Sequence, residues 1–323
     1  MNILVVGGAG YIGSHMVKWL ARQKCQTTTL DDLSTGFAEA VLHGELIIAS
    51  IENAVALDQL FSSHKFDAVM HFASFIQVGE SVNEPAKYYR NNFSNTQNLL
   101  DIMVRHGVKR FIFSSTAAVF GEPTYIPIDE KHMLNPLNPY GRSKLMVEQM
   151  LEDYDYAYGI KSISLRYFNA AGADPEGELG ERHDPETHLI PLVLQAASGR
   201  RGAITVFGND YDTPDGTCIR DYIHIQDLCA AHWLGLKQLL SGASSARYNL
   251  GNGNGFSVRE VIETAERTTR RKIPVSSGVR RPGDPARLVA DSSLARKILG
   301  WIPQYADLET IIRHAWEWEQ KRG

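Results

Sequence analysis

Cysteine is scarce in this chain. Cys25, Cys218 and Cys229 are the only three in 323 residues. They are too few and too widely spaced for a disulfide framework or a zinc-binding cysteine pattern. They are expected to be buried thiols in a reducing compartment. A charge excess of one sign is also missing: 33 Lys and Arg stand against 37 Asp and Glu, a net charge of -4. No long basic run offers a track for nucleic acid. No apolar stretch reaches the length of a membrane span. The N-terminus has no basic leader before its apolar run, and Gly7-Gly8 cuts that run short, so no secretory signal is expected. No repeat or low-complexity tract stands out. These absences agree with a soluble enzyme, expected in the cytoplasm, with length for about two domains or one large domain with an extension.

What is present begins at the first residues. Ile3 to Val6 is a short apolar run of the kind a buried parallel strand shows. Gly7, Gly10 and Gly13 follow with two residues in each gap, a variant of the usual fingerprint whose first gap is one residue longer. Such glycines permit a tight turn and let backbone N–H groups approach a pyrophosphate. A helix starting near Tyr11 points its positive end at that phosphate. Gln26 to Leu30 reads as a second strand ending in Asp31-Asp32. An acid about 20 positions past the glycines hydrogen-bonds an adenosine ribose and repels a 2′-phosphate, so NAD is expected rather than NADP.

Strand-like runs at 2–6, 26–31, 45–49, 67–72, 109–115 and 161–166 alternate with helix-like periods at about 11–22, 54–63, 85–106 and 140–157. The alternation predicts an α/β fold, a Rossmann-like doubly wound parallel sheet with ligands beyond the carboxyl ends of its strands. From about 170 the pattern changes. Pro, Gly, Asp and Asn cluster at 172–186 and 207–217. Shorter helical segments lie near 188–199, 226–240, 257–270 and 307–321, with strand-like pieces at 204–207 and 247–250. The reading is an NAD-binding domain over 1–170 and a smaller C-terminal substrate-binding α/β portion over 171–323 that lends elements back to the first.

Two further patterns point to redox chemistry. Phe111 to Thr116 is an apolar strand ending in the hydroxyls of Ser114, Ser115 and Thr116. Such strand ends face the crevice where a nicotinamide lies, so Thr116 or Ser115 is placed to bond a substrate hydroxyl and relay its proton. Some 24 residues beyond Thr116, Tyr140-Gly141-Arg142-Ser143-Lys144 sets a phenol and an ammonium four positions apart, on one helix face. Tyrosine, with a pKa of about 10, is a poor base at neutral pH. A nearby positive charge favours the phenolate, so Lys144 is expected to bring Tyr140 into working range. No His, Cys and carboxylate cluster shows ligand spacing, so no metal is expected. His71 and His224 read as structural.

The glycine pattern, the Ser-Ser-Thr strand end and Tyr140-x-x-x-Lys144 resemble the extended short-chain dehydrogenase/reductase superfamily. Further segments narrow this to its UDP-glucose 4-epimerase family. They are His71-Phe72-Ala73, Val78-Gly79-Glu80-Ser81-Val82, Tyr88-Tyr89-Arg90-Asn91-Asn92, Leu165-Arg166-Tyr167-Phe168-Asn169, Gly208-Asn209-Asp210-Tyr211, Asp215 to His224, and Arg280-Arg281-Pro282-Gly283-Asp284. The resemblance runs from the first strand to the last helix. It implies tightly held NAD regenerated in each cycle, reversible epimerisation at carbon 4 of a UDP-hexose through a 4-keto intermediate, and a homodimer through helices 85–106 and 140–157.

It also implies residue roles. Tyr140 would carry the proton, Thr116 relay it, and Lys144 hydrogen-bond the nicotinamide ribose. Gly7, Gly10, Tyr11, Ile12, Gly13, Asp31, Asp32, Phe72, Ala73, Asn91, Ser114, Tyr140, Lys144 and Phe168 would hold the cofactor. Thr116, Tyr140, Asn169, His188, Leu189, Phe207, Arg220, Arg281, Asp284 and Leu288 would hold the UDP-sugar. In this set Arg220 and Arg281 clamp the diphosphate through their forks of donors, Asp284 holds the uridine ribose, and Phe207 frames the uracil.

Some positions depart from the family pattern. Thr116 stands where many members carry serine and keeps the hydroxyl. Ile76 replaces a lysine that contacts the nicotinamide in some members, Ser50 an aspartate that often contacts adenine, and His188 an asparagine of the substrate loop. Leu288 occupies the gate for N-acetylated sugars, where a tyrosine excludes the acetamido group and small residues admit it. Two other readings stay open at this point. One is a 4-epimerase of UDP-N-acetylhexosamines, UDP-pentoses or UDP-uronates. The other is a non-catalytic NAD-sensing regulator, against which Tyr140, Lys144 and Thr116 together count. A dehydratase or decarboxylase would want an acid after the strand-end hydroxyl, where Ala117-Ala118 stand.

Overall fold

The computed structural model describes residues 1–281 and 284–322. Apolar runs bounded by glycine or polar turns form β1 (Asn2–Val6), β2 (Gln26–Asp31), β3 (Glu45–Ile48), β4 (Ala68–His71), β5 (Arg110–Ser114) and β6 (Lys161–Tyr167). Between them run α1 (Tyr11–Arg22), α2 (Ala54–Ser63), α3 (Val78–Asn83), α4 (Pro85–Tyr88), α5 (Asn95–Arg105) and α6 (Pro139–Tyr158). The helical period over 85–106 is not one helix. A π-helical stretch, Tyr89–Ser94, separates α4 from α5. Its widened turn accompanies a buried Asn92, whose side chain accepts the Phe75 N–H at 2.9 Å and donates to the Phe75 carbonyl at 3.0 Å.

The rest of the chain forms β7 (Asn169–Ala171), α7 (Leu189–Ser198), β8 (Ile204–Phe207), β9 (Ile219–Arg220), β10 (Tyr222–His224), α8 (Ile225–Leu240), β11 (Ala246–Leu250) and β12 (Phe256–Ser257). It closes with α9 (Val258–Thr269), β13 (Val275–Gly278), β14 (Arg287–Leu288), α10 (Ser293–Leu299) and α11 (Leu308–Lys321).

One seven-stranded sheet organises the molecule, in the order β11-β6-β5-β4-β1-β2-β3. Every pairing in it is parallel. The edge strand β11 and its preceding helix α8 come from beyond residue 170, so the later half returns to the first sheet. Helices α2, α5 and α6 cover one face around Leu57, Leu99, Phe111 and Val147. Helices α1 and α8 cover the other around Ile3, Met16, Ile112 and Leu236. Each such buried side chain contributes roughly 1.5–3 kcal/mol. The strand order reverses between β1 and β4, and the crevice beyond Val6 and His71 is the expected ligand position.

A second core gathers α7, α9 and α11 around Val193, Val261 and Ile311. Around it the strands are short. β7 pairs with β10 and β8 with β13, while β9 lies between β12 and β14. In that last group Leu288 faces Arg220 in register. Among the described residues no helix is long and apolar enough to cross a membrane.

Candidate active site

The turn after β1 is closed by protein at two of its glycines and open at the third. Gly7 has φ +77°, and a Cβ there would sit 2.4 Å from the Ala73 nitrogen. At Gly13 a Cβ would fall 2.1 Å from the Gly7 carbonyl oxygen. Close backbone approach therefore requires both. At Gly10 a Cβ would meet nothing nearer than that same oxygen, at 3.5 Å. Packing does not explain Gly10. The open face beside it, at the N-terminal end of α1, suits a pyrophosphate.

Asp31 ends β2 with one carboxylate oxygen accepting the Ala9 N–H and the other the Leu33 N–H, both at 2.9 Å. Burial pushes this carboxyl up, and the two N–H groups pull it back. The carboxylate fastens the glycine loop to β2 and keeps lone pairs for ribose hydroxyls. Asp32 is exposed and accepts the Ser34 N–H at 2.9 Å. The Tyr11 hydroxyl donates to the Gly172 carbonyl at 2.7 Å. What Tyr11 and Ile12 offer a phosphate is therefore the backbone N–H of the first turn. Phe72 and Ala73 both donate their N–H to the Val6 carbonyl, at 2.7 and 3.2 Å, and close the neighbouring wall. Asn91 donates to Asn92 Oδ1 at 3.0 Å. The open glycine, the helix start and the strand-end acid fit a dinucleotide.

Helix α6 starts cleanly. Asn138 Oδ1 accepts the Gly141 N–H at 2.9 Å, and Pro139 opens the helix. Tyr140, Lys144 and Glu148 then fall at successive i+4 positions on one face. Lys144 is 3% exposed and donates to Ser74 Oγ at 2.7 Å and to the Ser114 carbonyl at 2.8 Å. Burial pulls its ammonium down to about 7, with the Glu148 charge opposing. Burial also pushes the Tyr140 phenol up, and the Thr116 hydroxyl beside it pulls it back. This departs from the expectation that Lys144 brings Tyr140 into range. Burial penalises the charge on both side chains, and Thr116 is the group that favours the phenolate.

The three strand-end hydroxyls have separate fates. Thr116 Oγ1 accepts the Ala118 N–H at 3.1 Å and stays beside Tyr140. Ser114 Oγ shares a 2.5 Å hydrogen bond with the Tyr167 hydroxyl. Ser115 donates at 2.5 Å to Glu148, which also pairs with Arg166 Nη2 at 2.5 Å and Arg247 Nε at 3.1 Å. That commitment removes Ser115 as a relay and leaves Thr116.

The second group of candidate residues meets this one through an apolar seam. Leu288 and Phe168 pack with Ala117, Val119 and Phe120, immediately after Thr116. Arg220, facing Leu288, pairs with the Asp284 carboxylate and donates to the Ile219 carbonyl at 2.8 Å. The Arg281 guanidinium stacks 4.1 Å from the centre of the Phe207 ring. Pro282 and Gly283 of the same segment lie outside the described residues. Asn169 donates to the Asp221 carbonyl at 3.0 Å. Leu189 opens α7. His188 is committed through one ring nitrogen to carboxylates of its own loop. Its Nδ1 lies 2.7 Å from Glu181 and 3.2 Å from Glu186. His71 is buried against the Thr96 hydroxyl at 3.2 Å, and burial pulls it down to about 3. His224 caps α8, accepting the Gln226 N–H at 3.1 Å, and burial pulls it to about 3 as well.

Sequence reasoning missed Asn92 and Ser74. Asn92 ties the loop carrying Ser74 to Ser143 of α6 at 3.3 Å, and Ser74 holds Lys144. It also missed a gathering of Glu181, His183, Glu186 and His188, whose donor atoms lie within 4.8 Å of one another. The run Glu-x-His-x-x-Glu-x-His was the available signal.

Residues 3–251 match the model of the NAD dependent epimerase/dehydratase family. The chain is similar to the UDP-glucose 4-epimerase of Halalkalibacterium halodurans, 50% identical over 321 residues covering 99% of this chain and 96% of that one. It is similar to the crystal structure of UDP-glucose 4-epimerase from Brucella ovis in complex with NAD, with TM-score 0.96 and 50% identity over 98% of this chain and 97% of that one. It is also similar to the UDP-Glc/GlcNAc 4-epimerase from Campylobacter jejuni, with TM-score 0.87 and 42% identity over 99% of each chain.

Proposed function

The chain belongs to the NAD-dependent epimerase/dehydratase family, and on that premise we propose that Tyr140, Thr116 and Lys144 carry its chemistry. It is an enzyme that epimerises UDP-hexoses reversibly at carbon 4, with NAD as cofactor. Bound NAD supplies a reversible hydride acceptor in the switch-point crevice. The glycine loop, Asp31, Asp32, Phe72, Ala73, Asn91 and Ser114 would hold it there. Tyr140, whose phenolate the Thr116 hydroxyl favours and the positive ring of bound NAD would favour further, takes the proton of the 4-hydroxyl directly or through Thr116 Oγ1, and later returns it. Lys144 holds the Ser74 loop and the end of β5 in register with α6 and would meet the nicotinamide ribose.

Arg220 and Arg281 grip the diphosphate, Asp284 and Phe207 the nucleoside, and Asn169, His188 and Leu189 the neighbouring edge. Leu288 and Phe168 present apolar walls to the sugar. Such walls hold neither face by hydrogen bonds, so the 4-ketohexose can turn while UDP stays anchored. The division into an NAD-binding domain over 1–170 and a UDP-sugar portion over 171–323 belongs to this reading, with α8 and β11 serving the first. So do a homodimer through the helical segment 85–106 and α6 and a cytoplasmic location.

The observation that carries the reading is that α6 sets Lys144 on the Ser114 carbonyl at the carboxyl end of β5, at 2.8 Å, with Tyr140 one turn earlier on the same face and Thr116 two residues past Ser114. Incubating the purified chain separately with UDP-galactose and UDP-N-acetylgalactosamine, without added NAD, tests it. UDP-glucose should form from the first. Formation of the matching epimer from the second would add the wider specificity that Leu288 leaves open. No epimer from either would overturn the reading.

A further inference from the structure

We propose that Glu181, His183, Glu186 and His188 form a structural site for one divalent transition-metal ion of the zinc type. The four donor atoms lie within 4.8 Å of one another. His188 Nδ1 stands 2.7 Å from Glu181 Oε1 and 3.2 Å from Glu186 Oε1. His183 Nδ1 stands 3.2 Å from Glu181 Oε1 and 3.6 Å from Glu186 Oε2. Tetrahedral zinc with bonds of roughly 2.0–2.2 Å sets its ligands about 3.4 Å apart, within the range of these separations.

Orphaned polar atoms supply an independent sign. The Glu186 side chain is only 4% exposed, and its Oε2 has no hydrogen-bond partner. Its other oxygen is already held by the backbone N–H groups of Thr187 and His188, at 2.8 and 2.9 Å. His183 Nδ1, also buried, has no partner of hydrogen-bond geometry either. These two atoms meet each other only in a 3.6 Å contact without hydrogen-bond geometry; buried polar groups so weakly satisfied are costly, and a shared cation satisfies both. Two imidazole nitrogens and two carboxylates suit zinc better than magnesium or calcium, which prefer oxygen alone. Two carboxylates also balance a dication.

The other acidic gathering, Asp174, Glu176 and Glu178, is different in kind. The Lys18 ammonium already bonds all three. The four-donor site instead spans the loop between β7 and α7. His183 packs edge-on against Tyr11 of the glycine loop, with ring centres 6.4 Å apart, and His188 precedes α7. An ion here would pin that loop between the first helix of the sheet and the substrate edge.

The test is a zinc titration of the full chain, purified without a histidine tag and stripped with dipicolinate, against a chromophoric competitor. Cobalt substitution is followed by visible absorption. One equivalent bound, a raised unfolding temperature and a tetrahedral cobalt spectrum are expected. His183→Ala and Glu186→Gln should each weaken zinc by more than roughly 100-fold, while exposed Glu176→Gln leaves its affinity unchanged. Substoichiometric binding to the wild type, or equal affinity in the His183 and Glu186 variants, would overturn the site and leave an ion-pair cluster only. The wild-type titration stands even where a variant fails to fold.

Discussion

The two sides proposed for the active site are built on opposite terms. On the cofactor side the polar groups are buried and already bonded to protein: Lys144 to Ser74 and Ser114, Asp31 to Ala9 and Leu33, Ser115 to Glu148. On the sugar-nucleotide side, partly exposed charges pair with their neighbours on short strands and loops, Arg220 with Asp284 and Arg281 over Phe207. A satisfied buried network fixes positions, whereas open pairs exchange partners at little cost. The first suits a proton path that must serve both faces of a sugar. The second suits a grip that must open for UDP to enter and leave.

The largest test of that contrast compares two glycines. Gly13→Ala should remove more than roughly 3 kcal/mol of stability, since its Cβ meets backbone. Gly10, at φ -78°, accepts an alanine backbone. Gly10→Ala stripped of NAD should unfold within roughly 1 kcal/mol of the wild type, yet retain less NAD on purification. Full NAD content in Gly10→Ala would remove the cradle from that face.

On the other side, Arg220→Lys should raise KM for the UDP-sugar roughly 10-fold with little change in kcat, because a point charge replaces a fork. A fall in kcat at unchanged KM would move Arg220 into the chemical half. Leu288→Tyr should lower the ratio of N-acetylated to plain substrate activity roughly 10-fold if the wild type accepts both. An unmoved ratio would show that Leu288 is not the gate.

A pH dependence tests the cost of the buried lysine. Its folded value of about 7 lies below the unfolded lysine value of about 10.4. Below the folded value both states hold the proton, and the full penalty of a buried charge is present. Between the two values the unfolded state binds more protons, so this contribution to stability rises with pH. In NAD-free protein, Lys144→Met should therefore gain most over the wild type near pH 6.5, with the gap closing toward pH 10. A gap independent of pH would contradict the buried-charge cost.

Much of the cofactor side was legible because its elements are marked locally. An apolar run, three glycines and a strand-end acid announce β1, α1 and β2, and the period between Tyr140 and Lys144 announces α6. The short strands β9, β12 and β14 carry no period at two residues each, so the pairing of Arg220 with Asp284 had no local trace beyond the family resemblance. The break of the 85–106 period at the π-helical stretch followed from a tertiary demand, the clamp of Asn92 on Phe75. The commitment of Ser115 depends on Glu148 and Arg166, which meet it only when α6 and β6 are in place. The gathering of Glu181, His183, Glu186 and His188 sits in a segment with neither helical nor strand period, where spacing alone says little about approach.

The measurement closest to the central claim is turnover of UDP-galactose by Tyr140→Phe without added NAD, with NAD content and UDP affinity determined on the same preparation. Loss of the proton carrier alone should cut turnover by roughly 10²–10⁴-fold while NAD and UDP remain bound. Near-normal turnover in that variant would contradict Tyr140 as the group that takes and returns the proton.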